Sequence, residues 1–213
     1  MKEGDGTVRR KEIKAILFDL YGVLVDSLDA WHHVFNDTLR MFGLPALGRR
    51  QFSRGFGAPI EHDMKAYFQG RTMKEVHDAH NSHFRKRIHL VKLFPSAIPL
   101  LKEVRRRKLK TALISNSTRA IVGMIVSHYK LKKYLDVMVT MDDVRRRKPA
   151  PDAVLRACRE LGVKPREAVL VGDTRNDMVA GRRAGCTTIG LKTKGEYTIR
   201  TLGSLPPLIK RFK

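Results

Sequence analysis

Five short apolar runs, separated by longer amphipathic stretches, limit the fold of this chain more than any other feature. The runs are rich in leucine or β-branched residues, are bounded by turn residues, and cover residues 13–20, 111–114, 137–139, 169–171 and 188–191. Helical spacing of apolar residues lies between them, in residues 98–107, 119–128, 152–161 and 177–184. Because strands that alternate with helices form parallel sheets, the pattern predicts a doubly wound α/β fold.

Residues 27–91 break this alternation, because their pattern is helical throughout. Apolar residues between Trp31 and Phe42 follow i, i+3, i+4 spacing, and a second helix is predicted for residues 73–87. Residues 49–59 contain glycines and a proline and predict a loop or a short helix. We therefore expect an inserted all-helical cap domain at residues 27–91 and an α/β core domain formed by residues 1–26 and 92–213.

The chain is strongly basic. Its 213 residues include 43 Lys and Arg against 21 Asp and Glu, which gives a formal net charge of +22. Such a surface can bind nucleic acid, but the basic runs are spread along the chain without interleaved aromatic residues. We therefore interpret the charge, including Arg145, Arg146 and Arg147, as a solvated surface that attracts small anionic substrates, with nucleic acid as the less favoured partner.

The composition gives no indication of secretion or of a membrane span. No apolar run approaches the roughly 20 residues that cross a bilayer, and the N-terminal segment lacks the apolar stretch of a signal peptide. Two cysteines, Cys158 and Cys186, are too few for a disulfide scaffold, and no metal-binding Cys or His spacing is present. We expect a cytoplasmic protein, not bound to a membrane, with both cysteines reduced.

Polar residues stand where three of the predicted strands end. Asp19 lies at the end of the first run, Ser115 and Asn116 follow the second, and Asp173 comes shortly after the fourth. Ligands of open α/β sheets bind outside the carboxyl ends of the strands. The sequence therefore predicts a site that combines these residues.

Four segments, in order, carry a resemblance to a known family. They are DLYGVLVDS from Asp19, SNS from Ser115, KPAPD from Lys148 and GDTRND from Gly172. Over residues 12–192 the chain resembles the haloacid dehalogenase superfamily, in the group with a helical cap inserted after the first motif. The resemblance implies a Rossmann-like core and hydrolase activity.

The first three segments supply candidate catalytic and substrate-binding residues. A carboxylate such as Asp19 can attack an electrophile, and the resemblance implies that it is the nucleophile; its alternative role is a helix N-cap. The hydroxyl of Ser115 and the amide of Asn116 can bind phosphoryl oxygens or merely form a turn. The resemblance implies that Lys148 balances the charge of the nucleophile and the phosphate.

The last segment predicts a metal site. Asp173 and Asp177 place two carboxylates four residues apart, and hard oxygen ligands opposite Asp19 suit Mg²⁺ bridging to a phosphate. The alternative is an N-cap with an acidic first turn, which the helix dipole favours.

Tyr21 departs from the pattern of the phosphatases in this family. They carry Asp-x-Asp, and the second aspartate acts as general acid and base towards the leaving group. A phenol, with a pKa near 10, is a poor substitute. The resemblance implies that this residue also binds the metal through its backbone carbonyl, which Tyr21 retains.

Three hypotheses follow for the function. The favoured one is a Mg²⁺-dependent phosphatase acting on a small phosphorylated metabolite, with Arg54 of the cap, and also His62 and Lys65, as candidate anion contacts. The second is a metal-free 2-haloacid dehalogenase, which the Asp-Leu-Tyr-Gly string resembles; Arg49, Arg50 or Arg54 would then hold the substrate carboxylate. The third is a catalytically impaired protein that binds a phosphorylated ligand or RNA.

Overall fold

The structure is a computed structural model that describes residues 12–58 and 60–212. Its main feature is a parallel sheet of six strands in the order β5-β4-β1-β6-β7-β8. These strands are β1 (Ala15–Asp19), β4 (Lys110–Ile114), β5 (Val137–Val139), β6 (Ala168–Gly172), β7 (Thr187–Leu191) and β8 (Tyr197–Ile199). A separate antiparallel ribbon joins β2 (Val25–Asp26) to β3 (Lys92–Leu93).

Helices cover both faces of the sheet. They are α5 (Ala97–Arg106), α6 (Arg119–His128), α7 (Asp152–Leu161), α8 (Arg175–Ala184) and α9 (Leu205–Ile209). Ile16 and Phe18 of β1 pack with α5 and α6, whereas Ala15 and Leu17 pack with α7 and α8. Both faces of β1 are therefore buried, which explains why its sequence is continuously apolar rather than alternating.

The position of β1 explains how the polar strand ends meet. This strand lies between β4 and β6, with Asp19 opposite Ile114 and Phe18 opposite Val171. Ser115 directly follows β4, and Asp173 directly follows β6. Because the three strands are parallel, their next residues come together at one edge of the sheet.

Between β2 and β3, the described residues form four α-helices, which are called the cap helices below. They are α1 (Leu28–Met41), α2 (Arg49–Gly55), α3 (Ile60–Ala66) and α4 (Met73–Arg87). A capping box begins α4, in which Thr72 and Glu75 bond each other's backbone N–H groups. The helices share a small apolar core of their own, formed by Phe35, Leu39, Phe52, Phe68 and Val76.

The predicted fold class is confirmed by the sheet and its helices. The bounds of α6 and α7 match the predicted ones, and residues 49–59 contain the short helix α2. The sequence analysis missed β8 and α9, because residues after 192 carry only a weak apolar pattern. The division into core and cap remains a prediction; residues 1–11 of the predicted core and Pro59 of the predicted cap segment lie outside the described residues.

Candidate active site

A cavity of about 590 Å³ lies between the carboxyl edge of the sheet and the cap helices. Asp19, Asp173 and Lys148 line it from the core, and Trp31 and His77 line it from the cap. Its volume is within the roughly 300–1,000 Å³ that is usual for small-molecule sites. No helix within the described ranges is both long and apolar enough to cross a membrane.

Lys148 joins two carboxylates on the core side of the cavity. Its Nζ donates to Asp19 Oδ1 at 2.5 Å and to Asp177 Oδ1 at 2.6 Å. All three residues are buried. The two acids raise the pKa of Lys148 above its usual value, although burial opposes this, so the ammonium group stays charged. The lysine therefore fixes one oxygen of each carboxylate.

Asn116 holds the backbone of Lys148. Its Nδ2 donates to the Lys148 carbonyl at 2.9 Å, and its Oδ1 accepts from the Lys148 N–H at 3.0 Å. Both ends of the amide are thus used within the protein. Asn116 lines the cavity, but these bonds make it a residue that positions Lys148.

Asp177 belongs both to the capping box of α8 and to the group of residues around Lys148. Its Oδ2 accepts from the Thr174 N–H at 3.1 Å and from the Thr174 hydroxyl, while the Thr174 Oγ1 accepts from the Asp177 N–H. This capping box begins α8. The other oxygen, Oδ1, is the one that Lys148 holds. The N-cap interaction thus directs Asp177 towards the cluster.

Asp19, Asp173 and Asp177 form an acidic cluster that fits a cation. One oxygen of each lies within 4.8 Å of the others. Asp173 Oδ1 is buried and accepts no hydrogen bond from the described residues. Burial, and secondarily the neighbouring carboxylates, raise the pKa of Asp19 to about 7 and that of Asp173 to about 6, with Lys148 opposing both. Buried, unpaired carboxylate oxygens of this kind suit a hard divalent cation such as Mg²⁺.

Gly22 makes room for Asp173. Its φ is +70°, and a Cβ built on it would lie 1.9 Å from Asp173 Oδ2. Any side chain at this position would therefore displace that carboxylate, and the backbone conformation itself is costly for other residues. The turn after Asp19 thus requires glycine to hold the acidic cluster.

Tyr21 has an unpartnered hydroxyl at the edge of this cluster. The Oη atom is buried and makes no hydrogen bond of normal geometry with the described residues, although Ser117 and Trp31 are adjacent. Burial raises the pKa of Tyr21 above its usual value, an effect that these two neighbours only partly offset. The phenol therefore stays protonated and cannot serve as a base near neutral pH.

A family model described as haloacid dehalogenase-like hydrolase matches residues 16–191. The chain belongs to this family. The resemblance inferred from the four motifs is thereby confirmed, and the protein is a hydrolase.

Curated relatives of this hydrolase are phosphatases by name. A pyrophosphatase PpaX of Bacillus cereus is 30% identical over 185 residues, with 83% of this chain and 82% of the relative covered. A phosphoglycolate phosphatase of Yersinia pestis is 30% identical over 192 residues, with 86% of this chain and 83% of the relative covered. The solved structure of CbbY from Rhodobacter sphaeroides in complex with phosphate has a TM-score of 0.80 at 22% identity, covers 91% of this chain and 96% of its own, and shows the shared fold.

Not every predicted site residue of the hydrolase reaches the cavity. Ser115 is buried beneath it, and its Oγ accepts from the Ser117 N–H at 3.2 Å. Arg54 is exposed and does not line the cavity. Phe52 is the buried residue of α2, and a position two residues further along a helix is rotated by about 200°, which directs Arg54 away from the packed side. His62 and Lys65 do not line the cavity either.

Arg145, Arg146 and Arg147 were interpreted as surface; Arg145 and Arg146 are exposed, and all three also border the cavity. They belong to the segment that leads from β5 to Lys148, and this segment passes over the carboxyl edge of the sheet. Arg147 pairs with Glu61 of the cap, and Arg146 pairs with Asp152 at the start of α7. A run of charges without periodicity does not reveal whether it faces solvent or a cavity.

The cap contributes residues that the sequence analysis assigned only to packing. Trp31 and Phe35 follow the apolar spacing of α1, but both also line the cavity. His80 of α4 is 5% exposed and lines it as well. Helical periodicity predicts which face is buried, and it cannot distinguish a core from the wall of a cavity.

Proposed function

We propose that this hydrolase is a Mg²⁺-dependent phosphatase with Asp19 as its nucleophile. The observation that carries the proposal is the arrangement of Asp19. Lys148 holds Oδ1, and no hydrogen bond from a described residue reaches Oδ2. One carboxylate oxygen of Asp19 lies within 4.8 Å of one oxygen of Asp173, whose Oδ1 is buried without a partner among the described residues. One carboxylate oxygen is thus fixed and the other is available.

The reaction has two steps. Asp19 Oδ2 attacks the phosphorus, the ester P–O bond breaks, and its electron pair remains on the leaving oxygen. Water then attacks the phosphorus of the aspartyl phosphate, the electron pair of the broken bond returns to the Asp19 carboxylate, and inorganic phosphate leaves with the protons of the water. Lys148 orients the nucleophile through Oδ1, and its charge compensates part of the negative charge that the phosphate brings.

Asp19, Asp173 and Asp177 are the residues that would hold Mg²⁺. When bound, the ion neutralises phosphoryl oxygens and lowers the cost of bringing a phosphate beside a carboxylate. Asp19 and Asp173 have the free oxygens, whereas both oxygens of Asp177 already accept hydrogen bonds. We therefore assign the direct contacts to Asp19 and Asp173, and to Asp177 a role in orienting Lys148 as well as in completing the negative charge of the site. A backbone contact from Tyr21 remains part of the same proposal.

The relatives support the reaction class. The pyrophosphatase PpaX and the phosphoglycolate phosphatase are both named for hydrolysis of phosphate compounds, and the small phosphorylated metabolite proposed for this chain is of that class. The metal-free dehalogenase is favoured by one observation, Tyr21. The arginines considered for it weaken that case: Arg49 pairs with Asp29 at 2.7 Å, and none of Arg49, Arg50 and Arg54 lines the cavity.

The test is the metal dependence of turnover with nitrophenyl phosphate. We expect hydrolysis with Mg²⁺ and none with a chelator, and we expect Asp19→Asn to lower kcat by roughly 10⁴-fold or more. Asp78→Asn removes an exposed carboxylate of the cap and should leave kcat unchanged. Equal rates with and without metal, or release of chloride from 2-chloropropionate without metal, would contradict the phosphatase and favour the dehalogenase.

A further inference from the structure

The cap side of the cavity is an aromatic wall. The apolar side chains that the cap contributes include Trp31, Phe35, Phe52, Phe56, Ile60 and Tyr67. The rings contact one another, with centroids 5.4 Å apart for Phe35 and Phe52 and 5.5 Å apart for Phe52 and Phe56. Such a surface suits a flat apolar group, because rings pack against rings with little loss of side-chain freedom.

Phe56 is the most exposed member of this wall. It is 39% exposed, and the other large apolar side chains that are similarly exposed in the described part of the chain, such as Met41 at 63%, do not line the cavity. An exposed ring at the mouth of a cavity carries a cost in hydration that a bound apolar group would remove.

Three buried polar atoms in the cavity lining also have no partner among the described residues. They are Tyr21 Oη, Ser27 Oγ and His80 Nε2. Burial, reinforced by the neighbouring His77 and His83, lowers the pKa of His80 to about 3, so its ring is neutral. Buried polar atoms are normally satisfied, and these three are available to a ligand that carries hydroxyl or similar groups.

The charge of the cap wall disfavours small acidic substrates. The cap lines the cavity with the carboxylates of Glu61 and Asp63 but with no lysine or arginine from its described residues. Across the cavity, Arg147 is paired with Glu61 and Arg146 with Asp152, whereas Arg145 has no ion pair with a described residue. The unpaired arginine of the lining thus lies on the core side and not on the cap wall. A carboxylate placed against the cap would therefore meet like charge and apolar rings.

Tyr21 points to the same kind of leaving group. Position 21 holds a tyrosine where the phosphatases that this chain resembles hold an aspartate, so no carboxyl group is present there to protonate the leaving oxygen. A phenol, with a pKa near 10, is a much better anionic leaving group than an aliphatic alcohol. Substrates with a phenolic leaving group thus compensate for the missing carboxylic acid.

We propose that the substrate is a phosphate monoester of an aromatic hydroxyl compound, whose ring lies against the aromatic wall of the cap. This inference rests on the proposed phosphatase function. The bond from Asp19 to phosphorus forms as the bond from phosphorus to the aryl oxygen breaks. The electron pair leaves with the phenolate, which takes a proton from solvent after it departs. Hydroxyl groups on the ring are placed to meet the unpartnered polar atoms.

Binding can be measured without turnover, because Trp31 is the single tryptophan of the chain and lines the cavity. Its fluorescence should report titration with phenylphosphonate and with phosphonoacetate in the presence of Mg²⁺. We expect phenylphosphonate to bind at least about 10-fold more tightly. Phe56→Ala should lower the affinity for phenylphosphonate about 3- to 10-fold and leave the affinity for methylphosphonate unchanged. Met41 is an exposed cap residue outside the cavity, and Met41→Ala should change neither affinity. Tighter binding of phosphonoacetate, or equal effects of the two substitutions, would overturn the inference.

Turnover separates this inference from the function on which it rests. With Mg²⁺, kcat/KM for phenyl phosphate should exceed that for phosphoglycolate by at least about 10-fold. If both are hydrolysed and phosphoglycolate is equal or better, the aromatic substrate class is wrong and the phosphatase stands. If neither is hydrolysed while phenylphosphonate still binds selectively, the phosphatase is wrong and the aromatic binding site stands.

Discussion

The two sides of the cavity differ in how their polar groups are used. On the core side Lys148, Asp19, Asp177 and Asn116 hold one another by hydrogen bonds that leave only selected carboxylate oxygens free. On the cap side aromatic rings dominate, and buried polar atoms such as His80 Nε2 have no partner in the described chain. The core side therefore holds its charged groups in one arrangement, as the proposed reaction requires. The cap side leaves polar atoms available, as the proposed substrate binding requires.

Removing Lys148 is expected to have the largest effect on stability. Lys148→Met leaves two buried carboxylates, Asp19 and Asp177, without their shared cation. Breaking a buried ion pair in this way costs about 3–5 kcal/mol of the free energy of unfolding. Urea denaturation with a chelator present measures it. Lys74→Met, which breaks an exposed pair with Asp78, is the control and should cost under about 0.5 kcal/mol. If the two variants lose similar amounts of the free energy of unfolding, Lys148 does not stabilise the two buried carboxylates as described.

Gly22→Ala tests the packing of the acidic cluster. The new Cβ has to displace Asp173, and the positive φ adds strain, so we expect a loss of about 1–3 kcal/mol in the free energy of unfolding. We also expect Mg²⁺ affinity, measured by titration calorimetry, to fall about 10- to 100-fold. Gly48→Ala, at a position with open space and negative φ, is the matched control. An unchanged Mg²⁺ affinity in Gly22→Ala would show that Asp173 is not a ligand.

His80 on the cap side gives a smaller, pH-dependent effect. Its pKa is lowered to about 3 in the folded protein, below the usual 6.5, so the unfolded chain takes up a proton first as the pH falls. The stability that the neutral ring provides is complete above about pH 6.5 and is lost progressively towards pH 3. When the pH is lowered from 7 to 4.5, the free energy of unfolding of His80→Leu should therefore rise by about 2 kcal/mol relative to that of the wild type. Urea denaturation of both proteins at pH 7 and at pH 4.5 measures this change. If the difference between their free energies of unfolding is the same at both pH values, a buried neutral His80 is contradicted.

The sequence predicted the core side of the site better than the cap side. Asp19, Asp173 and Asp177 could be proposed because they lie at a strand end or in the first turn of a helix, and parallel strands bring these points together. Lys148 was proposed from the resemblance of its KPAPD segment to the family. The hydrogen bonds that turn Asn116 into a support for Lys148 depend on loop geometry, which no local pattern encodes.

On the cap side, helical periodicity predicted buried faces but not the cavity between them. The spacing therefore assigned Trp31 to packing, and Arg54 was chosen as an anion contact because it is a basic residue of the predicted cap. The sequence could not show that the Arg145–Arg147 segment borders the cavity, since its position is set by the long-range pairing of β5 with β4.

In the proposed mechanism, the core side of the cavity provides a nucleophile but no carboxylic acid to protonate the leaving group. The most direct measurement is kcat of the wild type and of Tyr21→Asp with an alkyl phosphate and with nitrophenyl phosphate, at saturating Mg²⁺. Restored proton transfer should raise kcat for the alkyl phosphate by roughly 10²–10⁴-fold and change nitrophenyl phosphate much less, because nitrophenolate leaves without a proton. Both substrates depend on the same metal site and the same folded protein. A change in metal occupancy or in folding therefore affects both kcat values equally and cancels in their ratio. An equal response of the two substrates, or a variant that loses dehalogenation of 2-chloropropionate and gains no alkyl phosphatase activity, would contradict the account.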